Sequence, residues 1–357
     1  MTRILSLVVA LLLVGVAASA QPNIRNARVE SRSGASLAST FESLSTAAEP
    51  IWIGYAVAAQ DPEWNACCYR DGNECCGRCE LEEGRSGGTS IGTGARRGPI
   101  ALEGTSEVTV LYKVENRAVQ RIRAYSASCE LDAGGRTLYW LTDVPMQASI
   151  ELLLRYASRP TAEGDGHDRV MDGAMLAIAA HRDPAADRAM ATLMARDKPE
   201  RMRKQAAFWA ANQRGRAGFE LVRTALLDAS NEETFRKHAV FAVTQSREPE
   251  AVDTLMRVAK SDGSPAVRGE AIFWLAQKAG KQAASAITDA IANDPETKVK
   301  ERAVFALSQL PKDDGVPKLI EVARTNRNPS VRKQAIFWLG QSKDPRALEF
   351  FTEILGR

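Results

Sequence analysis

The chain has 357 residues, 47 of them basic and 44 acidic, for a formal net charge of +3. That length allows about two domains, and the apolar and charged contents are those of a globular protein rather than a disordered or fibrous one. Charges of both signs interleave, and no basic block or stripe gives the footprint of a nucleic-acid binder, so a protein-facing surface fits the balance better.

Residues 1–20 read as a signal peptide. Arg3 supplies the positive start, Ile4 to Val16 form an apolar run, and the small residues Ala18 to Ala20 precede Gln21. The run falls short of the ~20 residues that a membrane span needs, and no second such stretch follows. The expectation is an exported chain, periplasmic or secreted after cleavage near Ala20, with no stable membrane insertion. An uncleaved N-terminal anchor is the rival reading.

Residues 21–158 carry β-forming segments, "PIWIGYAVAA" (50), "SEVTVLYKVEN" (106), "VQRIRAYSASCEL" (119) and "GRTLYWL" (135), with turns that suggest a meander. Two stretches have helical spacing: "SLASTFESLSTAA" (36) and "SIELLLRYA" (149). This half is expected to be a small α+β domain containing disulfides. All six cysteines lie in it: Cys67, Cys68, Cys75, Cys76, Cys79 and Cys129. An even count in an exported chain favours disulfides, though the pairing stays open. A thiolate metal site using the Cys76–Cys79 spacing, or a redox pair, are the alternatives. "GTSIG", Gly88 to Gly92, matches a serine-hydrolase elbow in letters only. Glycine-rich coil surrounds Ser90, and His167, His181 and His238 are poorly placed as its base.

Residues 159–168 read as a linker, and 169–357 as repeats. "RKQAAFWAAN" (203), "RKHAVFAVTQ" (236), "RGEAIFWLAQ" (268), "KERAVFALSQ" (300) and "RKQAIFWLGQ" (332) align on Phe208, Phe241, Phe273, Phe305 and Phe337, with Leu176 marking a weaker first copy. The step is roughly 32 residues, the size of a helical solenoid unit. Each unit holds two helices, with starts marked by "SP", "NPS", "DPE", "DP" and "EP". The residue after Phe alternates, Trp209, Ala242, Trp274, Ala306, Trp338, so the duplicated element is a pair of units. Leu176 and the five phenylalanines are expected in the repeat core. The tryptophans read as packing residues, with an exposed binding ladder as the alternative.

This pattern resembles HEAT repeats, particularly the short bacterial HEAT-like units also found in phycobilisome lyases. The resemblance covers the C-terminal half only and implies an all-α superhelical solenoid of about six helix pairs that holds a protein partner. The export signal argues against the lyase role. The expected surface is a concave wall of second helices, with Trp209, Trp274, Trp338, Arg223, Arg257, Lys260 and Arg324 as partner-binding candidates. For the four basic residues, favourable charge at a helix C-terminus is the structural alternative. No catalytic, metal or cofactor residue is assigned, and the expected function is a non-enzymatic binding scaffold. Metal or thiol-redox chemistry at Cys67 to Cys79, with the solenoid as docking arm, is the alternative.

Overall fold

The computed structural model describes residues 22–61, 66–68, 78–82, 89–91, 107–127, 129–159 and 169–356, with backbone alone at 66–68, 78 and 89–91. The signal-peptide segment 1–20, Cys75, Cys76, His167, the side chains of Cys67, Cys68 and Ser90, and all but the first residue of the 159–168 linker lie outside the described residues.

The N-terminal half runs β1 (Ile24–Arg25), β2 (Arg28–Ser33), α1 (Leu37–Ser45), β3 (Ile51–Ala58), β4 (Ala66–Cys68), β5 (Arg78–Glu80), β6 (Thr89–Ile91), β7 (Glu107–Glu115), β8 (Ala118–Ser126), β9 (Glu130–Asp132), β10 (Thr137–Thr142) and α2 (Met146–Ala157). Five strands form the main sheet in the order β2-β10-β3-β7-β8, while β1-β9-β5 make a smaller sheet and β4-β6 a hairpin-like pair. Both expected helices are present, and β7–β8 is the expected antiparallel hairpin. Its turn residues Asn116 and Arg117 both take positive φ, the twist that a two-residue hairpin requires.

The meander stops there. β10 does not join β8. It crosses back to pair in parallel with both β3 and β2. The "DAGG" turn is real, with Gly134 and Gly135 at positive φ, but it leads from β9 in the small sheet to β10 in the large one.

Side chains alternate across the main sheet, as strand geometry dictates. Trp52, Leu111, Tyr125, Leu138 and Trp140 face the small sheet and share a buried layer with Cys79, Cys129 and Leu131. Ile53, Tyr55, Val110, Tyr112 and Leu141 face the other way, onto Leu37 and Phe41 of α1 and Ile150 and Leu153 of α2. That second layer continues without a break into the helical half. The first stack helix, α3 (Met171–Ala180), lies directly on β8: Ile122 N donates to Arg169 O at 3.3 Å, and a Cβ on Gly173 would stand 2.0 Å from Ile122 O. Beyond its end, Ala59 and His181 form an isolated β-bridge, with Gln60 N on Ala180 O and Arg182 N on Ala58 O. The two halves share one hydrophobic core.

From α3 the chain is all helix: α4 (Pro184–Leu193), α5 (Glu200–Gln213), α6 (Gly215–Leu227), α7 (Glu233–Gln245), α8 (Glu250–Ser261), α9 (Pro265–Ala279), α10 (Ala284–Asn293), α11 (Thr297–Ser308), α12 (Lys312–Thr325), α13 (Pro329–Ser342) and α14 (Pro345–Leu355). These are six pairs, α3 to α13 by odd numbers being the first helices and α4 to α14 by even numbers the second. Their starts fall close to the Pro signals. Ser264, Asn328, Asp183 and Asp344 cap α9, α13, α4 and α14 through their side chains, with Pro at the first position whose amide needs no partner.

An aromatic ladder on the row of first helices

Successive first helices pack directly against one another, whereas successive second helices barely touch. In any curved stack the closely spaced row lies on the inner side. The concave wall is therefore built from the first helices, not from the second helices as expected. Such close approach admits only small or branched aliphatic side chains between layers, and Ala206, Ala207, Val240, Ile272 and Val304 are fully buried there. Rings do not fit in that gap.

This moves the phenylalanines. Leu176 is core, as expected, but Phe208, Phe241, Phe273 and Phe305 are half-buried and Phe337 is 52% exposed. They stand along the rim of the first-helix row and stack. Phe208 and Phe241 are nearly parallel at 5.9 Å, and Phe273 and Phe305 at 5.6 Å. The tryptophans bridge these stacks: Trp274 lies 4.8 Å from Phe241 and 5.0 Å from Phe273, and Trp338 4.8 Å from Phe305 and 5.0 Å from Phe337. Trp209, at 4.7 Å from Phe208, begins the series. All three tryptophans are half-buried and packed on the core, so packing and ladder describe one arrangement.

Four residues after each Phe, hence on the same helix face, stands a primary amide: Asn212, Gln245, Gln277, Gln309 and Gln341, the last three exposed. Each offers both a donor and an acceptor. Trp274 Nε1 donates to Glu270 Oε1 at 2.7 Å, and Arg302 reaches back to Glu270 at 2.7 Å while lying over the Phe273 ring. His238 Nε2 sits 3.0 Å from Lys204 O, and burial lowers its pKa.

The basic candidates lie elsewhere. Arg223, Arg257, Lys260 and Arg324 are on second helices. Arg223 is held by Glu220, and Arg324 pairs with Glu353 over the Phe350 ring. Arg257 and Lys260 are exposed, Lys260 at the edge of a cleft of about 640 Å³ between α8 and α10.

Two arrangements carry no signal in the repeat phrases' apolar spacing. The first is a row of buried arginines one step after the opening apolar residue. Arg268 holds Asp294 with two bonds, at 2.7 and 2.9 Å, and donates to Asp262 O at 2.8 Å. Arg236 pairs with Asp262, and Arg203 with Glu232 and, at 2.6 Å, Asn231. Each reaches the loop that opens the next unit. Burial alone would raise the Asp294 carboxyl, but the Arg268 bonds hold it below the usual carboxylate range.

The second is a buried chain across the joint between sheet and stack. His181 Nδ1 lies 2.6 Å from Ala177 O, which can only accept, so that nitrogen carries the proton. Burial holds the imidazole neutral, its pKa lowered to about 4, so Nε2 accepts from Ser149 Oγ at 2.8 Å. Ser149 Oγ in turn accepts from Tyr55 at 2.7 Å, and Tyr55 from Tyr112 at 2.8 Å. The Ser149–His181 contact has the geometry of a nucleophile and its base, yet Ser149, Tyr55, Tyr112 and His181 are all 0% exposed. No substrate reaches it. Burial also pushes Tyr55 up to about 12. Among the described residues no His, Cys, Asp and Glu cluster could hold a metal.

A family model described as HEAT repeats matches residues 220–308 and 284–357. No curated protein matches the chain. Solved structures with similar stacks include human deoxyhypusine hydroxylase in complex with glycerol, 15% identical over 58% of this chain and 90% of that one, with a TM-score of 0.31. The complex of CpcE and CpcF of phycocyanin lyase from Nostoc sp. PCC7120 is 22% identical over 44% of this chain and 99% of that one, at 0.34. Kap95p in its complex with RanGDP is 17% identical over 58% of this chain and 31% of that one, at 0.34. With the fifth to fourteenth helices repeating one pair and the family match spanning residues 220–357, the C-terminal half of this chain is a HEAT-repeat solenoid.

Proposed function

We propose that the protein is an exported, non-enzymatic scaffold that captures an extended segment of a partner protein along the first-helix row. The observation that carries this reading is the repeated pairing of a half-buried ring with an amide one helical turn further on. Rings supply apolar contact at little conformational cost. Amides match the donors and acceptors of an extended main chain. Helices in such a row lie about 8–10 Å apart, and one turn of polyproline II advances about 9 Å. A segment of that form presents the same side once per repeat, so its carbonyls meet successive amides.

The test is affinity capture with the chain and a Phe241→Ser, Phe305→Ser variant as paired baits, from envelope and secreted fractions. A protein held by the first and released by the second, at unchanged fold by circular dichroism, supports the reading. Equal retention by both removes it. Mass spectrometry of the isolated protein checks export, with a mature N-terminus at Gln21 expected. Cys79 and Cys129 are 0% and 2% exposed in an apolar layer, a setting that suits packing or stapling better than a redox thiol that meets a partner.

A further inference from the structure

We infer that the cavity between the α11–α12 turn and the end of α13 is a binding site for a lysine side chain of the captured partner.

The tryptophan-bearing helices α5, α9 and α13 pack on α3, α7 and α11, whose closing turns are built alike. In each, one amide bonds back over three residues at 3.2 Å: His181 N to Ile178 O, Ser246 N to Val243 O and Leu310 N to Leu307 O. Such a helix end leaves carbonyls without an intrahelical donor. In the first two cases a cation at the end of the tryptophan-bearing helix takes them. Arg214 donates to Ala179 O at 3.3 Å and to His181 O, and Lys278 donates to Thr244 O at 2.8 Å and Ser246 O at 2.9 Å. The corresponding acceptors of the third turn are Ser308 O and Leu310 O, and no group among the described residues donates to either. The second and third turns agree further. Thr244 Oγ1 donates to Phe241 O at 2.6 Å and Ser308 Oγ to Phe305 O at 2.7 Å, each hydroxyl accepting from the next glutamine.

Ser342 stands where Lys278 does, one helical turn after the tryptophan. It is too short to cross, and its hydroxyl donates to Leu339 O at 2.7 Å. Lys343 follows at the place of Arg214, but its φ is 51° where Arg214 has −97°, and it stands exposed. The slot is left as a cavity of about 280 Å³ whose walls belong to α11, α12 and α13, with α14 still to follow.

The walls define the ligand. Leu307, Val316, Leu319 and Trp338 form an apolar lining that suits a methylene stem. The two carbonyls lie at the C-terminal end of α11, where the helix dipole favours a positive charge. No carboxylate lines the cavity, whereas Arg214 is also held by Asp187 at 2.7 Å. The slot therefore matches that of Lys278, an ammonium on carbonyls alone. Lys312, exposed beside it, opposes a second positive charge, so a singly charged side chain fits better than a free diamine. Gln309 and Gln341 of the ring–amide row line the same cavity. Assigning the lysine to the partner rests on the capture reading, while the slot itself does not.

Two-dimensional NMR of the full chain with isotope-labelled tryptophan tests this, the Trp338 indole signal being identified from Trp338→Phe. N-acetyl-lysine methylamide is expected to shift that signal saturably, binding about 10-fold more tightly than the norleucine analogue, which lacks the ammonium. The Trp274 signal stays still, because Lys278 occupies its slot. Ser342→Lys supplies an occupant and abolishes the Trp338 response, and Lys278→Ser opens the second slot and brings a response at Trp274. A Trp338 signal unmoved through the millimolar range overturns the site. Equal binding of the norleucine analogue, binding that survives Ser342→Lys, or a silent Trp274 in folded Lys278→Ser does so too. Tighter binding of cadaverine than of the lysine compound overturns a side chain as the ligand. Neither Phe241 nor Phe305 lines the cavity, so failure here and failure of the paired-bait capture are separate results.

Discussion

At the scale of single residues, the groups with most at stake are polar and buried. His181 is neutral in the fold, with its pKa lowered to about 4 by burial, aided by Arg214 and opposed by the Ala177 carbonyl bond and Asp183. In the unfolded chain it titrates near its ordinary value of about 6.5. Between those values the unfolded state binds more protons, so stability falls as pH drops through that window and levels out below it. Urea titrations at about pH 7 and pH 5 are expected to differ by roughly 2 kcal/mol from this residue alone. His181→Gln should shrink the difference, and an unchanged difference would mean that the histidine titrates freely. His238 adds a smaller loss of the same sign. Carboxylates such as Asp344, held at about 2 by Arg346, lose their contribution only at lower pH, so the windows separate. Arg268 gives the second residue-level expectation. Arg268→Ala strands Asp294 in a buried site and should cost about 3–5 kcal/mol by chemical denaturation.

At the scale of elements, one motif position takes different values along the stack. Ile272→Ala should cost about 2–5 kcal/mol, because its neighbours close over it. Ile336→Ala, at the same motif position but 38% exposed, should cost within about 0.5 kcal/mol. Thermal melts of the two variants check the contrast. Where α3 meets β8, Gly173→Ala drives a methyl into the Ile122 carbonyl and should cost about 1–3 kcal/mol. The same positions show what could be read from sequence. Helix pairs were legible because apolar spacing, Pro starts and capping residues are local. The burial of Phe was not, since it depends on how near the next helix lies, and spacing within one helix is silent on that. β10 was recognised as a strand but put next to β8 in a meander, because its true partners β2 and β3 stand far away in sequence. The Ser149–His181 contact joins two helices across the linker and left no local trace.

At the scale of the whole molecule, the shared core makes the two halves cooperative. A fragment ending at residue 159 leaves Tyr112, Ile122 and the rest of that layer without α3, so it should lack a cooperative melt, whereas the full chain loses sheet and helix signals together. Circular dichroism of both checks this. Truncation from the other end should behave differently, since each distal unit touches only its neighbours and stability falls in increments.

The alternation of Trp and Ala has a mechanical consequence. Junctions between successive units are of two kinds: near-parallel Phe–Phe stacks, and tilted Phe–Trp contacts at 46° and 37°. Stretched from its ends, such a chain behaves as links joined by two unlike couplings in turn. The weaker set yields first, and extension under load proceeds in strides of two units, so the natural length of this spring is the doublet.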